Sequence, residues 1–232
     1  MIKAIFFDFN GVIIDDEPLQ MKAYRDALAP HGITLTEENY YGLLGTDDVG
    51  FIRASFERAA VRLEDETLRA VIERKFELHR ELIKDELPLF PGVVTFIKAA
   101  AREFPLGLVS MARRVEIDYA LERARLNQFF GVIVSAEDAP RYKPDPCCYE
   151  RAFELCNEQR RAARQLPLLA QECLAIEDAP PGIQSARAAG MRTLGVTNTV
   201  PEHALREAGA DVVTMSLADW TTDAVHHVFE SK

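Results

Sequence analysis

Five short apolar runs, each closing on a polar or small residue, constrain this chain more than any other feature. They are Ala4–Phe7 before Asp8, Leu106–Val109 before Ser110, Val132–Val134 before Ser135, Cys173–Ile176 before Glu177 and Asp178, and Thr193–Val196 before Thr197. Continuous apolar runs this short suit strands covered on both faces, as in a parallel sheet. Segments with helical spacing lie between them, over Gly92–Glu103, Arg114–Leu126, Cys147–Asn157 and Gly182–Ala189. Strand and helix therefore alternate, which predicts an open α/β sheet with right-handed crossovers. Ligands of such sheets sit beyond the carboxyl ends of the strands, where Asp8, Ser110, Glu177 and Asp178 all fall.

The first strand breaks this rhythm, because the next parallel strand waits until Leu106. The gap holds helix-like segments over Leu19–Leu28, Glu37–Leu44, Val49–Val61 and Glu64–Leu82, and Pro91-Gly92 then punctuates the return to the sheet pattern. Residues 16–86 are thus expected to form a helical cap inserted into an α/β core built from 1–15 and 87–232. A separate N-terminal helical domain would leave residues 1–15 as a strand with no sheet to join.

Composition narrows the partners. Of 232 residues, 48% are hydrophobic and 28% charged, which excludes a disordered tail, a collagen-like repeat and a coiled-coil rod. The 27 basic and 37 acidic side chains leave a net charge of −10, which argues against a protein that grips nucleic acid through its phosphates. One local pocket can still oppose that global charge and hold a small phosphorylated metabolite. Cys147, Cys148, Cys156 and Cys173 form no C-x-x-C pair, so reduced thiols and a cytoplasmic location are expected. The N-terminal apolar run is too short for a signal peptide, and no stretch approaches the ~20 apolar residues of a membrane span. No feature fixes an oligomeric state.

Four stations carry candidate chemistry. The first is Phe6-Phe7-Asp8-Phe9-Asn10-Gly11, a carboxylate at a strand end before a glycine turn. The second is Leu108-Val109-Ser110-Met111, the third Tyr142-Lys143-Pro144-Asp145-Pro146. The fourth is Ile176-Glu177-Asp178-Ala179-Pro180-Pro181-Gly182, followed by Ala186 to Met191. Each has a plainer reading on its own: a turn residue, a helix N-cap, a solvated loop lysine, a turn acid pair. Together, in this order, they resemble the haloacid dehalogenase-like superfamily, in particular its capped phosphatase and beta-phosphoglucomutase branch. The resemblance covers nearly the whole chain. It implies a Rossmann-like core, a helical cap, Mg²⁺, and phosphoryl transfer through an aspartyl-phosphate.

Beside that resemblance the residue types make physical sense. Mg²⁺ wants oxygen ligands, typically one or two carboxylates plus waters and substrate oxygens. Asp8 can offer one oxygen to phosphorus and the other to the metal, with Asp178 as the second carboxylate ligand. Glu177 is expected to hold a metal-bound water, and the backbone carbonyl of Asn10 to complete the set. Ser110 donates its hydroxyl to a phosphoryl oxygen, helped by the Met111 amide, and Lys143 balances the crowded carboxylates. Arg113 and Arg114 are read as a solvated first turn, Trp220 as core closure, and His226-His227 as a surface pair.

Two features depart from the family pattern. Asn10 stands where the family's hydrolases and mutases carry the aspartate that protonates the leaving oxygen, and an amide cannot shuttle a proton at neutral pH. Restoring aspartate there is expected to raise turnover. Asp15 and Asp16 are expected to face the hinge and not phosphorus. The turn Tyr41–Gly50 has no base for a second phosphate, and Arg53 is the nearest cation, which favours phosphatase over mutase. The reading is a Mg²⁺-dependent phosphatase for a small metabolite, with a sugar phosphate foremost. A beta-phosphoglucomutase-like mutase, or a pseudoenzyme that binds Mg²⁺ and phosphate, are the alternatives.

Overall fold

A computed structural model describes residues 1–230. Six parallel strands form one sheet: β1 (Ala4–Phe7), β2 (Leu106–Val109), β3 (Phe130–Val134), β4 (Cys173–Glu177), β5 (Arg192–Val196) and β6 (Val212–Thr214), in the order β3-β2-β1-β4-β5-β6. This is the α/β, Rossmann-like arrangement that the alternating pattern predicts. The strand order reverses between β1 and β4, and the crevice at such a reversal is where open α/β sheets bind ligands. Register then decides which residues share that crevice. Phe7 lies opposite Leu108 on one side and Ile176 on the other, so Asp8, Val109 and Glu177 end their strands at nearly one level.

All four helical segments predicted between β1 and β2 and all four predicted core helices appear. They are α1 (Glu17–Leu28), α2 (Glu37–Tyr41), α3 (Asp48–Arg58), α4 (Asp65–Leu82), α5 (Val93–Ala100), α6 (Arg114–Ala124), α7 (Cys147–Ala162) and α8 (Pro180–Ala188). α2 stops at Tyr41, where Gly42 closes it short of the predicted Leu44, and α3 ends at Arg58, short of the predicted Val61. α7 runs beyond the predicted Asn157 because its last turns are polar and exposed, leaving no apolar stripe to read. β6, α9 (Glu202–Glu207) and α10 (Thr222–Glu230) were not anticipated. β6 is a three-residue edge strand with half-buried side chains, too short to give a pattern.

The sheet is sandwiched by two apolar clusters. One packs Ile5, Phe7, Leu108, Ile176 and Leu194 against α5, α6 and α10. The other packs Phe6, Val109, Val134 and Ala175 against α7 and α8. Trp220 closes the first cluster against Phe229, with ring centroids 6.3 Å apart. Helices α1 to α4 have a cluster of their own, centred on Tyr24, Leu28, Phe51, Ile52 and Phe56. They are tied to the sheet unit by polar contacts: Arg113 to Glu73 at 2.9 Å, and Lys75 to Glu116 at 2.9 Å. Arg113 also lies over the Phe76 ring, so the expected solvated role holds for Arg114 but not for Arg113. Among the described residues no helix is long and apolar enough to cross a membrane.

Candidate active site

The ends of β1 and β4 bring three carboxylates together. Asp8, Glu177 and Asp178 each offer an oxygen within 4.8 Å of the others. Two glycines make that convergence sterically possible. Gly11 has φ of 75°, and a Cβ there would lie 2.0 Å from Asp178 Oδ2. A Cβ on Gly182 would lie 1.9 Å from Glu177 Oε2. Neither position tolerates a side chain without displacing an acid.

Lys143 is the counterweight. Its buried ammonium lies 3.0 Å from Asp8 Oδ1, 2.7 Å from Glu177 Oε1, and 3.2 Å from the Val109 carbonyl. Burial opposes its charge, but Asp8 and Glu177 more than compensate and hold its pKa above the ordinary lysine value. Tyr149 also donates its hydroxyl to Glu177 Oε1. Nothing in the sequence pattern marks Tyr149, because it reads as an ordinary core position of α7. Even so, burial and the Asp8 charge push both Glu177 and Asp178 well above the usual carboxylate range. Glu177 Oε2 is buried with no hydrogen-bond partner. An all-oxygen cluster that repels itself, with one oxygen unsatisfied, is the donor set a hard divalent cation relieves.

Ser110 follows β2 and is buried. Its Oγ accepts from the Ala112 backbone N–H at 3.0 Å, which leaves the hydroxyl proton free to donate into the cavity. Met111 lines the same cavity, as do Asp8, Asn10, Lys143, Glu177 and Asp178. All seven predicted site residues are therefore gathered around one cavity.

Asn10 has an unexpected partner. Its Nδ2 donates to both oxygens of Asp16, at 2.9 and 3.0 Å. Asp16 is fully buried, and also receives Gln20 Nε2 at 3.0 Å and lies 2.8 Å from His79 Nε2. Asp16 thus holds the side-chain amide of Asn10.

The cation next to the site is Lys75, not Arg53. Arg53 is exposed and pairs with Asp65 at 3.5 Å, whereas Lys75 is buried in the cavity wall. A signal for it existed. The buried stripe of α4 is Leu68, Val71, Lys75 and His79, so two polar residues occupy core-facing positions of an amphipathic helix. His226 pairs with Glu103 at 3.3 Å on the surface.

Glu17, at the start of α1, lines the cavity and accepts from Tyr40 at 2.6 Å. Burial, reinforced by Asp16, pushes its pKa up to about 7. A carboxyl raised on folding stabilises the fold while it is protonated, and that contribution is lost as pH rises through the folded value. Glu17→Gln keeps the Tyr40 bond and removes the titration. Its melting temperature should match the parent near pH 4 and exceed it by on the order of 5 °C at pH 8. Equal melting temperatures at pH 8 would show that Glu17 carries no such penalty.

Comparison with known proteins bears on the family and the fold. The chain is 29% identical over 216 residues to "Protein SUPPRESSOR OF QUENCHING 1, chloroplastic" of Arabidopsis thaliana, covering 91% of this chain but 19% of that protein. It is 28% identical over 215 residues to "Phosphorylated carbohydrates phosphatase" of Thermotoga maritima, covering 90% of this chain and 92% of the relative. The fold matches a crystal structure of beta-phosphoglucomutase from Clostridium difficile with a TM-score of 0.86 at 21% identity, over 100% of this chain and 98% of the other. The family model of haloacid dehalogenase-like hydrolases matches residues 2–190, and the chain belongs to that family of enzymes.

Proposed function

We propose that the protein is a Mg²⁺-dependent phosphomonoester hydrolase for a small phosphorylated metabolite of the sugar phosphate kind, with Asp8 as nucleophile. The observation that carries this is Asp8 at the crevice of the sheet, one oxygen held by Lys143 and the carboxylate facing Glu177 and Asp178. The name of the Thermotoga relative supports the substrate class. Residues 16–86 act as the cap over a core of 1–15 and 87–232.

The donor set fits the metal: Asp8, Asp178 and the Asn10 backbone carbonyl would hold it, with Glu177 reaching it through water. When bound, Mg²⁺ supplies positive charge that neutralises the ester and the acids beside it. The remaining work belongs to the chain. Asp8 attacks phosphorus, the O–P bond to Asp8 forms, and the ester P–O bond breaks as the leaving alkoxide takes a proton from solvent water. Ser110 and the Met111 amide hold phosphoryl oxygens, and Lys143 offsets the growing negative charge. Water then attacks the phosphoryl group, releasing phosphate and restoring Asp8. Asn10 can orient that water but cannot take its proton.

Phosphate release from a panel of sugar phosphates, with and without Mg²⁺, tests the reading. Metal-dependent hydrolysis is expected. Intact Mg²⁺ binding without hydrolysis would favour the pseudoenzyme, a reading that the Asn10–Asp16 contact motivates. A mutase is less supported because Lys75, the nearby cation, is already held by two carboxylates. The metal assignment has its own test. Asp178→Asn should weaken Mg²⁺ binding about tenfold or more in calorimetry, while leaving metal-free stability unchanged or higher, since one repelling charge is gone. Parent-like affinity would overturn it.

A further inference from the structure

The wall of the cavity opposite the phosphate end is built for a group that only donates hydrogen bonds. Asp48, at the start of α3, is 7% exposed. Its Oδ1 accepts from the Tyr24 hydroxyl and lies 3.1 Å from Lys75 Nζ, yet its Oδ2 is buried without a partner. Gln20 on α1 is 6% exposed and repeats the pattern. Its Nε2 is spent on Asp16, which fixes the amide orientation because a flipped oxygen would face a carboxylate. That leaves Gln20 Oε1 buried and unpaired. Both residues line the cavity. Buried acceptors without a donor are costly, so a ligand that donates to them offsets that cost.

Charge decides which donor fits. Lys75 is consumed by Asp48 and by Glu116 at 2.9 Å, with Tyr24 4.9 Å beneath it. Asp48 and Glu116 already outweigh this single cation, and Glu17 adds to them once ionised, so the wall is net negative and repels a second phosphate or a carboxylate. An ammonium has three donors and no acceptor.

We propose that the preferred substrate is a phosphomonoester whose alcohol carries a primary ammonium, an amino sugar phosphate or a short amino alcohol phosphate, bound by Asp48 and Gln20 and attracted by Glu17. This rests on the phosphatase reading above. The ammonium takes no part in the phosphoryl transfer; it anchors the leaving group.

The test is a set of kcat/KM values on the full chain with Mg²⁺ at pH 7.5. Glucosamine 6-phosphate is compared with glucose 6-phosphate and N-acetylglucosamine 6-phosphate, which keep the ring and lose the charge. Ethanolamine phosphate against glycerol 3-phosphate tests the short alcohol. At least one amine should exceed its neutral partner by about tenfold, a 1.4 kcal/mol preference, and the arm that does so identifies the source. In Asp48→Asn that ratio should fall toward one; should this variant not fold, Glu17→Gln should lower the same ratio. Hydrolysis of the neutral esters equal to or faster than both amines would overturn the amine assignment and leave the phosphatase reading intact. No hydrolysis of any ester would overturn both.

Discussion

Replacing Asp8 by alanine should lower phosphate release by on the order of 10⁴-fold or more, the scale on which enzymes lose a nucleophile. The geometry leaves no substitute. Glu177 is tied to Lys143 and Tyr149, and Asp178 is buried against the Gly11 turn. The variant should remain folded, because removing one of three clustered carboxylates relieves repulsion and Lys143 keeps Glu177 as its partner. Beryllium fluoride with Mg²⁺ mimics a phosphoryl group on a carboxylate and should raise the melting temperature of the parent but not of Asp8→Ala. Turnover within about tenfold of the parent in a folded, carefully purified variant would remove Asp8 from the reaction.

The second large effect concerns Asn10, and here the structure changes the expectation. From sequence alone, Asn10→Asp is expected to raise turnover. The contact with Asp16 makes that gain conditional. A carboxylate at position 10 would meet a fully buried carboxylate at about 3 Å, where an amide now donates two hydrogen bonds. The single variant should therefore lose about 3 kcal/mol of stability at neutral pH, as when a buried charge loses its partner, and gain little activity. Asn10→Asp combined with Asp16→Asn reverses donor and acceptor across the same contact. That pair should recover stability and accelerate turnover on the order of 10²-fold, the lower end of what general acid–base catalysis supplies. The gain should be largest for sugar alkoxide leaving groups and smallest for nitrophenolate, which departs without a proton. Flat rates in a stable double variant would mean that the site works with Asn10 as it stands.

What the sequence made legible follows from where burial leaves a pattern. β1, β2, β4 and β5 are covered on both faces, so their apolar runs stand out, and the polar residue ending each run marks the crevice. Asp8, Ser110, Glu177 and Asp178 are readable for that reason, and Lys143 through its proline-bounded loop. β6 lies at the sheet edge, half-buried and three residues long, and left no comparable run. The opposite wall of the cavity was illegible for a different reason. Gln20, Asp48 and Lys75 come from three helices and meet only when those helices pack against one another. Their one trace in the sequence is that Lys75 and His79 interrupt the apolar stripe of α4. The grip of Asp16 on Asn10 depends on side-chain directions that spacing does not encode.

If phosphate passes through Asp8, acid-quench trapping should capture it there. Enzyme mixed with a rapidly hydrolysed phosphate ester and Mg²⁺ is quenched in acid within the first turnover, digested and mapped by mass. With Asn10 unable to activate water, the second step should be slow and the phosphoenzyme should accumulate. One added phosphoryl group is expected on the peptide that carries Asp8, absent from Asp8→Ala. A phosphoryl group on any other residue, or steady phosphate release with an unmodified Asp8 peptide throughout the first turnover, would contradict it.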